Sequence, residues 1–103
     1  MKTDYKLKFT PEANMDLFEI FEYVTNNLSA PVAAGTLIDK IEDACKKLVL
    51  FPLSGSIPRD NILVKKDYRL IAVDNFIVFY QVDDRVIRIM RIVYGKRNYQ
   101  ALL

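Results

Sequence analysis

The spacing of apolar residues changes along the chain, and each spacing predicts an element. Tyr5-Lys6-Leu7-Lys8-Phe9 alternates apolar and basic residues, as a half-buried strand does. Thr10-Pro11-Glu12 then supplies an N-cap, a first-turn proline and a first-turn acid. Ala13, Leu17, Ile20/Phe21, Val24 and Leu28 follow at helical spacing, with Asp16, Glu19, Glu22 and Asn26 expected on the outward side. Asn26-Asn27 weakens that helix, and Ser29-Ala30-Pro31 opens a second. Its stripe is Ala34, Leu37, Ile38, Ile41, Ala44/Cys45 and Leu48, expected to run to Phe51, where Pro52 forbids continuation. The short connection predicts an antiparallel helix hairpin.

The segment from Pro52 to Arg59 is rich in turn formers and reads as a loop, after which the apolar period becomes two. Tyr68–Val73, Phe76–Val82 and Arg85–Val93 are strands rich in β-branched and aromatic residues, separated by Asp74-Asn75 and Asp83-Asp84 as tight hairpins. This predicts an α+β domain spanning residues 1–103: an N-terminal strand, a helix hairpin, a three-strand antiparallel meander and a short C-terminal segment. If Val73 faces Phe76 and Val82 faces Arg85, one sheet face carries Ile71, Val78, Tyr80, Ile87, Ile89 and Arg91. The other carries Leu70, Ala72, Ile77, Phe79 and Met90, with Tyr68, Gln81, Val86 and Arg88 around them. The helix hairpin can cover only one face, predicted to be that of Ile71, Val78 and Ile89. Leu70, Ala72, Ile77, Phe79 and Met90 are therefore expected to meet a partner or a second copy, the alternative being a C-terminal helix, Asn98–Leu103, folded back as a lid.

Composition removes several chemistries. With one cysteine and no histidine the chain cannot assemble the N/S ligand set of a zinc site, so no metal is expected. Cys45 lacks the usual activating base and lies on a helix stripe, which makes it a core residue. No apolar run approaches the ~20 residues of a membrane span, and Met1–Lys6 does not read as an export signal, so a cytoplasmic location is expected. The formal net charge is only +2, but bases gather in the second half, with Lys65, Lys66, Arg69, Arg85, Arg88, Arg91, Lys96 and Arg97. On charge alone this fits either an acidic or nucleic-acid partner or a solvated sheet edge.

The closing segment, Arg91-Ile92-Val93-Tyr94-Gly95-Lys96-Arg97-Asn98-Tyr99, resembles that of the RelE/ParE toxin superfamily, where the last strand runs into a glycine and paired basic residues. Asp16-Leu17 with Glu19-Ile20 and Tyr23, Phe51-Pro52 before Gly55, Tyr68-Arg69-Leu70, and Phe79-Tyr80-Gln81-Val82 agree with it in order along the chain. The resemblance implies the toxin of a bacterial type II toxin–antitoxin pair, without a cofactor, silenced by a cognate antitoxin in a hetero-oligomer, with a homodimer also possible. One branch cuts messenger RNA on the ribosome; the other, ParE-like and linked to plasmid stabilisation, inhibits growth through DNA gyrase.

In the RNA-cutting branch, basic strand residues, an arginine after the Gly-Lys and a C-terminal tyrosine would serve the reaction. Here the two strand-lysine positions hold Leu70 and Ala72, the strand-arginine position holds Ile77, and the tyrosine position holds Leu103. Only Arg97 remains. The resemblance thus favours the ParE-like branch, with Arg91, Lys96 and Arg97 as target contacts. A ribosome-dependent endonuclease using Arg97, Lys96, Tyr94 or Tyr99 is the alternative, and a degenerate, non-toxic interaction module the second.

Overall fold

The computed structural model describes residues 5–95 and 103. Strand β1 (Lys6–Phe9) leads into helix α1 (Pro11–Glu22) and helix α2 (Pro31–Lys47). A short helix α3 (Asn61–Lys65) then precedes strands β2 (Arg69–Val73), β3 (Phe76–Asp83) and β4 (Val86–Tyr94). The four strands form one sheet in the order β1-β4-β3-β2; β1 lies parallel to β4 and the other pairs are antiparallel. The expected α+β architecture, with the meander joined to the first strand, is therefore the one observed.

Thr10 begins α1 as expected: its Oγ1 accepts the Ala13 N–H at 3.0 Å and donates to the Met90 carbonyl at 2.9 Å, tying the cap to β4. The helix pair covers the predicted face, where Ala13, Ile41, Cys45, Val78, Tyr80, Ile87 and Ile89 are fully buried. Several details differ from expectation. The α-helix of the first stripe stops at Glu22 and continues as one π-helical segment, Tyr23–Asn27, before Ser29 turns the chain at φ 50°. Helix α2 ends at Lys47, not Phe51, because the chain tightens into turns at residues 48–50. The last hairpin turns on Asp84-Arg85, whose φ values of 49° and 62° are the positive pair a type I′ turn needs, and Asp83 faces Val86.

That shift moves the β3–β4 register by two residues, so up to Tyr80 each side chain keeps its expected face. A β-bulge between Phe79 and Tyr80 then inserts Met90 into β4 and reverses the parity beyond it. Arg91 consequently lies opposite Phe79, not on the helix face where plain alternation puts it, and Ile92 replaces it in the core beneath the helices. Val93 joins the second face.

Candidate partner-binding site

Two surfaces of the sheet have work beyond the main core. The first begins where β1 ends. After Phe9 the chain turns up into α1, so the half of β4 beyond Ile89 has lost its neighbour on that side. Asp16 takes the vacated place. Its carboxylate accepts the Ile92 N–H at 2.8 Å and both fork nitrogens of Arg91, Nε at 2.8 Å and Nη2 at 2.9 Å. This bidentate pair is largely buried, and hydrogen bonding to Asp16 is the main influence raising the Arg91 pKa, with burial opposing. Asp16 was expected outward; it is only 9% exposed because an unsatisfied strand edge needs an acceptor there.

Past this anchor the helix pair parts from the sheet's end. Lys40, midway along α2, reaches Asp74 in the β2–β3 turn at 3.5 Å, and Ala33 and Leu37, before it on α2, share a groove with the sheet's end at Phe76 and Tyr94. On the inner stripe here Ala34 is buried and Leu37 half-buried, while Leu28 at the tip stays exposed. The result is a groove of about 810 Å³, walled by Ile20, Tyr23, Val24 and Leu28 above and by Phe76 and Tyr94 below. Phe76 and Tyr94 meet edge to face at 5.9 Å, while Tyr23, Leu28 and Tyr94 are 55%, 57% and 39% exposed. Tyr23 and Val24 of this lip belong to the π-helical segment, a local form frequent at functional sites.

The second surface is the sheet face turned away from the helices. It was expected to need a partner or a second copy over Phe79, and that expectation is corrected there: the chain covers Phe79 itself. Helix α3, N-capped by Asp60 through the Ile62 and Leu63 amides, lays Leu63 over Phe79. Tyr68 meets Phe79 edge-on at 6.3 Å, Leu103 packs against the same cluster, and the Leu103 carbonyl oxygen accepts from Lys66 Nζ at 3.2 Å. Phe79 is therefore wholly buried within its own chain. Leu70, Ile77 and Met90 remain half-buried and Ala72 exposed.

The far end of the sheet is closed by the loop after α2. The Gly55 N–H donates to Tyr80 Oη at 2.9 Å, and that hydroxyl donates to the Pro52 carbonyl at 2.8 Å. A Cβ at Gly55 would stand 2.5 Å from Tyr80 Oη and 2.8 Å from the Leu70 carbonyl, so only glycine fits.

The sequence profile of the ParE toxin of type II toxin–antitoxin systems matches residues 7–99. The chain belongs to the ParE toxin family. Two solved structures are similar to this ParE-family toxin. One, described as the chromosomal ParDE toxin–antitoxin system from P. aeruginosa, has a TM-score of 0.75 at 22% identity, covering 89% of this chain and 97% of that one. The other, the RelBE2 toxin–antitoxin complex from Mycobacterium tuberculosis, has a TM-score of 0.59 at 20% identity, covering 87% and 96%. At such identities the likeness shows the fold. No curated protein sequence matches the chain.

In this ParE-family toxin the candidate residues fall into separate groups. Tyr94, the last residue of β4, stands at the mouth of the groove, and Gly95 after it donates its N–H to the Asn75 carbonyl at 2.8 Å. Lys96, Arg97 and Tyr99 lie outside the described residues. Arg91, expected at the sheet's end as a target contact, instead directs its guanidinium onto Asp16. Cys45 is fully buried, and burial, helped by Glu42, pushes its thiol up to about 12. Among the described residues no cluster of His, Cys, Asp or Glu could hold a metal ion, and no helix is long and apolar enough to cross a membrane. The sequence reading missed the groove, because its residues look like ordinary core stripe. The available signal was length: a helix pair of this span exceeds what a five-residue strand such as β2 can cover.

Proposed function

We propose that this toxin acts by binding, with DNA gyrase or its DNA complex as the target class, and that a cognate antitoxin silences it. The observation that carries the reading is the content of the second face. Where RNA-cutting relatives would need charged groups, Leu70, Ile77 and Leu103 pack against the Phe79 cluster and Ala72 presents a methyl group. A cluster of this kind cannot stabilise the developing charge of a phosphorane.

The antitoxin reading is supported by family membership and by neighbours drawn from toxin–antitoxin systems. An amphipathic antitoxin helix would seat in the groove beneath the tip of the helix pair, its apolar side on Ile20, Leu28 and Phe76. Leu70, Ala72, Ile77 and Met90 offer a second contact, with Phe79 supporting them from beneath. Lys96 and Arg97, directly after Gly95, belong to the proposed target contact.

The test compares purified toxin in a gyrase supercoiling assay with the same toxin in a translating extract probed for messenger RNA cleavage. The expected result is loss of supercoiling with intact message. Cleaved message with normal supercoiling would replace this reading with the endonuclease.

A further inference from the structure

Three cations that the toxin's fold does not use stand together on the sheet face away from the helices. Register places Lys8 directly beside Arg88 and Lys6 beside Val86. Leu7, Ile87 and Ile89 point into the helix-side core, so Lys6, Lys8 and Arg88 project from the opposite face. The two lysines are about 6.6 Å apart along β1, and the strands are about 4.8 Å apart. None of the three has an ion pair or a side-chain hydrogen bond among the described residues. The acid sharing this face of the strands, Asp83, lies two strands from Lys6 and forms no ion pair with them.

Lysine on an edge strand often serves only to discourage strand pairing, and β1 is an edge. That explanation stops short of Arg88. It sits on β4, between β1 and β3, half-buried and without a carboxylate, where a cation has no role in edge protection. The wider charge distribution points the same way. Apart from Asp16, whose charge Arg91 neutralises, the two helices carry Glu12, Glu19, Glu22, Asp39, Glu42 and Asp43 against Lys40, Lys46 and Lys47. The opposite face adds Lys66, beside Gln81, whose Nε2 donates to the Lys66 carbonyl at 2.7 Å. One side of the molecule is acidic and the other basic, so an extended polyanion would meet the strip side first.

We propose that Lys6, Lys8 and Arg88 form a strip that grips the phosphodiester backbone of a nucleic acid. Cations about 5–7 Å apart on an open sheet face, unpaired among the described residues, suit a repeating anion, and the contacts would be sequence-independent. The strip goes beyond the target named above, since it requires neither gyrase nor the ribosome.

The test uses the full-length toxin with fluorescein-labelled mixed-sequence probes of about 20 units, one a DNA duplex and one a single-stranded RNA, titrated between about 50 and 200 mM salt. Lys6→Gln/Lys8→Gln is compared with Lys46→Gln/Lys47→Gln, a charge-matched pair on the helix side; Arg88→Gln is read separately, with melting temperature as the folding control. The strip pair is expected to weaken binding at least about tenfold and to flatten the log–log salt slope by about 0.9 per lost duplex contact, or about 0.7 on single strands. The helix-side pair should leave both unchanged. The arm with the larger loss identifies DNA or RNA as the source of the backbone. Equal losses in the two pairs would overturn the proposal, as would absence of binding at the lowest salt. So would unchanged nucleic-acid binding alongside lost antitoxin capture, which would make the strip a protein contact. If Arg88→Gln unfolds, the lysine pair still decides.

Discussion

The two faces of the sheet are built from similar residues and held to different standards. Under the helix pair, Ile41, Val78, Ile87 and Ile89 reach zero exposure, and even the Tyr80 hydroxyl is satisfied by Gly55 and Pro52. Across the sheet, a five-residue helix and Leu103 close over Phe79 and Tyr68, while Leu70, Ile77 and Met90 stay half-buried. The first face is sealed because the sheet needs one complete core to exist; the second is only partly closed, which leaves apolar and basic side chains available. The same contrast recurs along the helix hairpin, whose inner stripe is sealed over the sheet and open at the groove lip.

The largest expected effect follows from this difference. Ile89→Ala should cost about 3–4 kcal/mol in urea unfolding, because nothing can collapse into the space between α1 and β4. Leu70→Ala on the other face should cost about 1 kcal/mol, since that side chain is already partly in water. Comparable losses at both positions would mean that the second face is also a structural core.

The Asp16–Arg91 anchor ranks next. Asp16→Asn leaves the guanidinium without its countercharge and, whichever way the amide turns, sets its NH2 against a donor the carboxylate now accepts, so a loss of about 2–3 kcal/mol is expected. Arg91→Met in the Asp16→Asn background should recover part of it, as a double-mutant cycle would show. Independent effects at the two positions would reduce the pair to a surface contact.

Much of this was legible in the sequence, and the failures have physical causes. The period of three to four from Ala13 to Leu48 and the period of two after Tyr68 are long signals, and they identified the helix pair, the meander and the buried face. Helix α3 escaped because five residues give no period; its only marks are the Asp60 cap and the apolar run Ile62-Leu63-Val64. The bulge at Met90 has no sequence signature, so the parity of Arg91 and Ile92 was misread beyond it. Asp16 was read as solvent-facing because helical spacing cannot reveal a strand edge in need of an acceptor. The strip of Lys6, Lys8 and Arg88 was equally hidden, since β1 and β4 are far apart in sequence and only their parallel register joins them.

A smaller effect concerns alkali. The folded-state pKa of Cys45 lies near 12, above its ordinary value, so the native state holds its proton more tightly than the unfolded chain. The resulting stability is complete below the unfolded thiol's pKa of about 8.5 and is lost progressively as pH rises toward 12. Urea midpoints measured from pH 8 upward should fall more steeply for the native sequence than for Cys45→Ala, whose baseline stability is lower. Parallel curves would show that the thiol is reached by water.

On the function proposed above, the sealed face holds the toxin together while the open groove receives its partner. Leu28→Asp tests it directly, because Leu28 is 57% exposed on the groove lip and outside the core. Antitoxin affinity, measured by calorimetry beside the melting temperature of the free toxin, should fall by at least about tenfold, or 1.4 kcal/mol, with melting unchanged within about a degree. Wild-type affinity, or a loss accompanied by a marked drop in melting temperature, would contradict the claim.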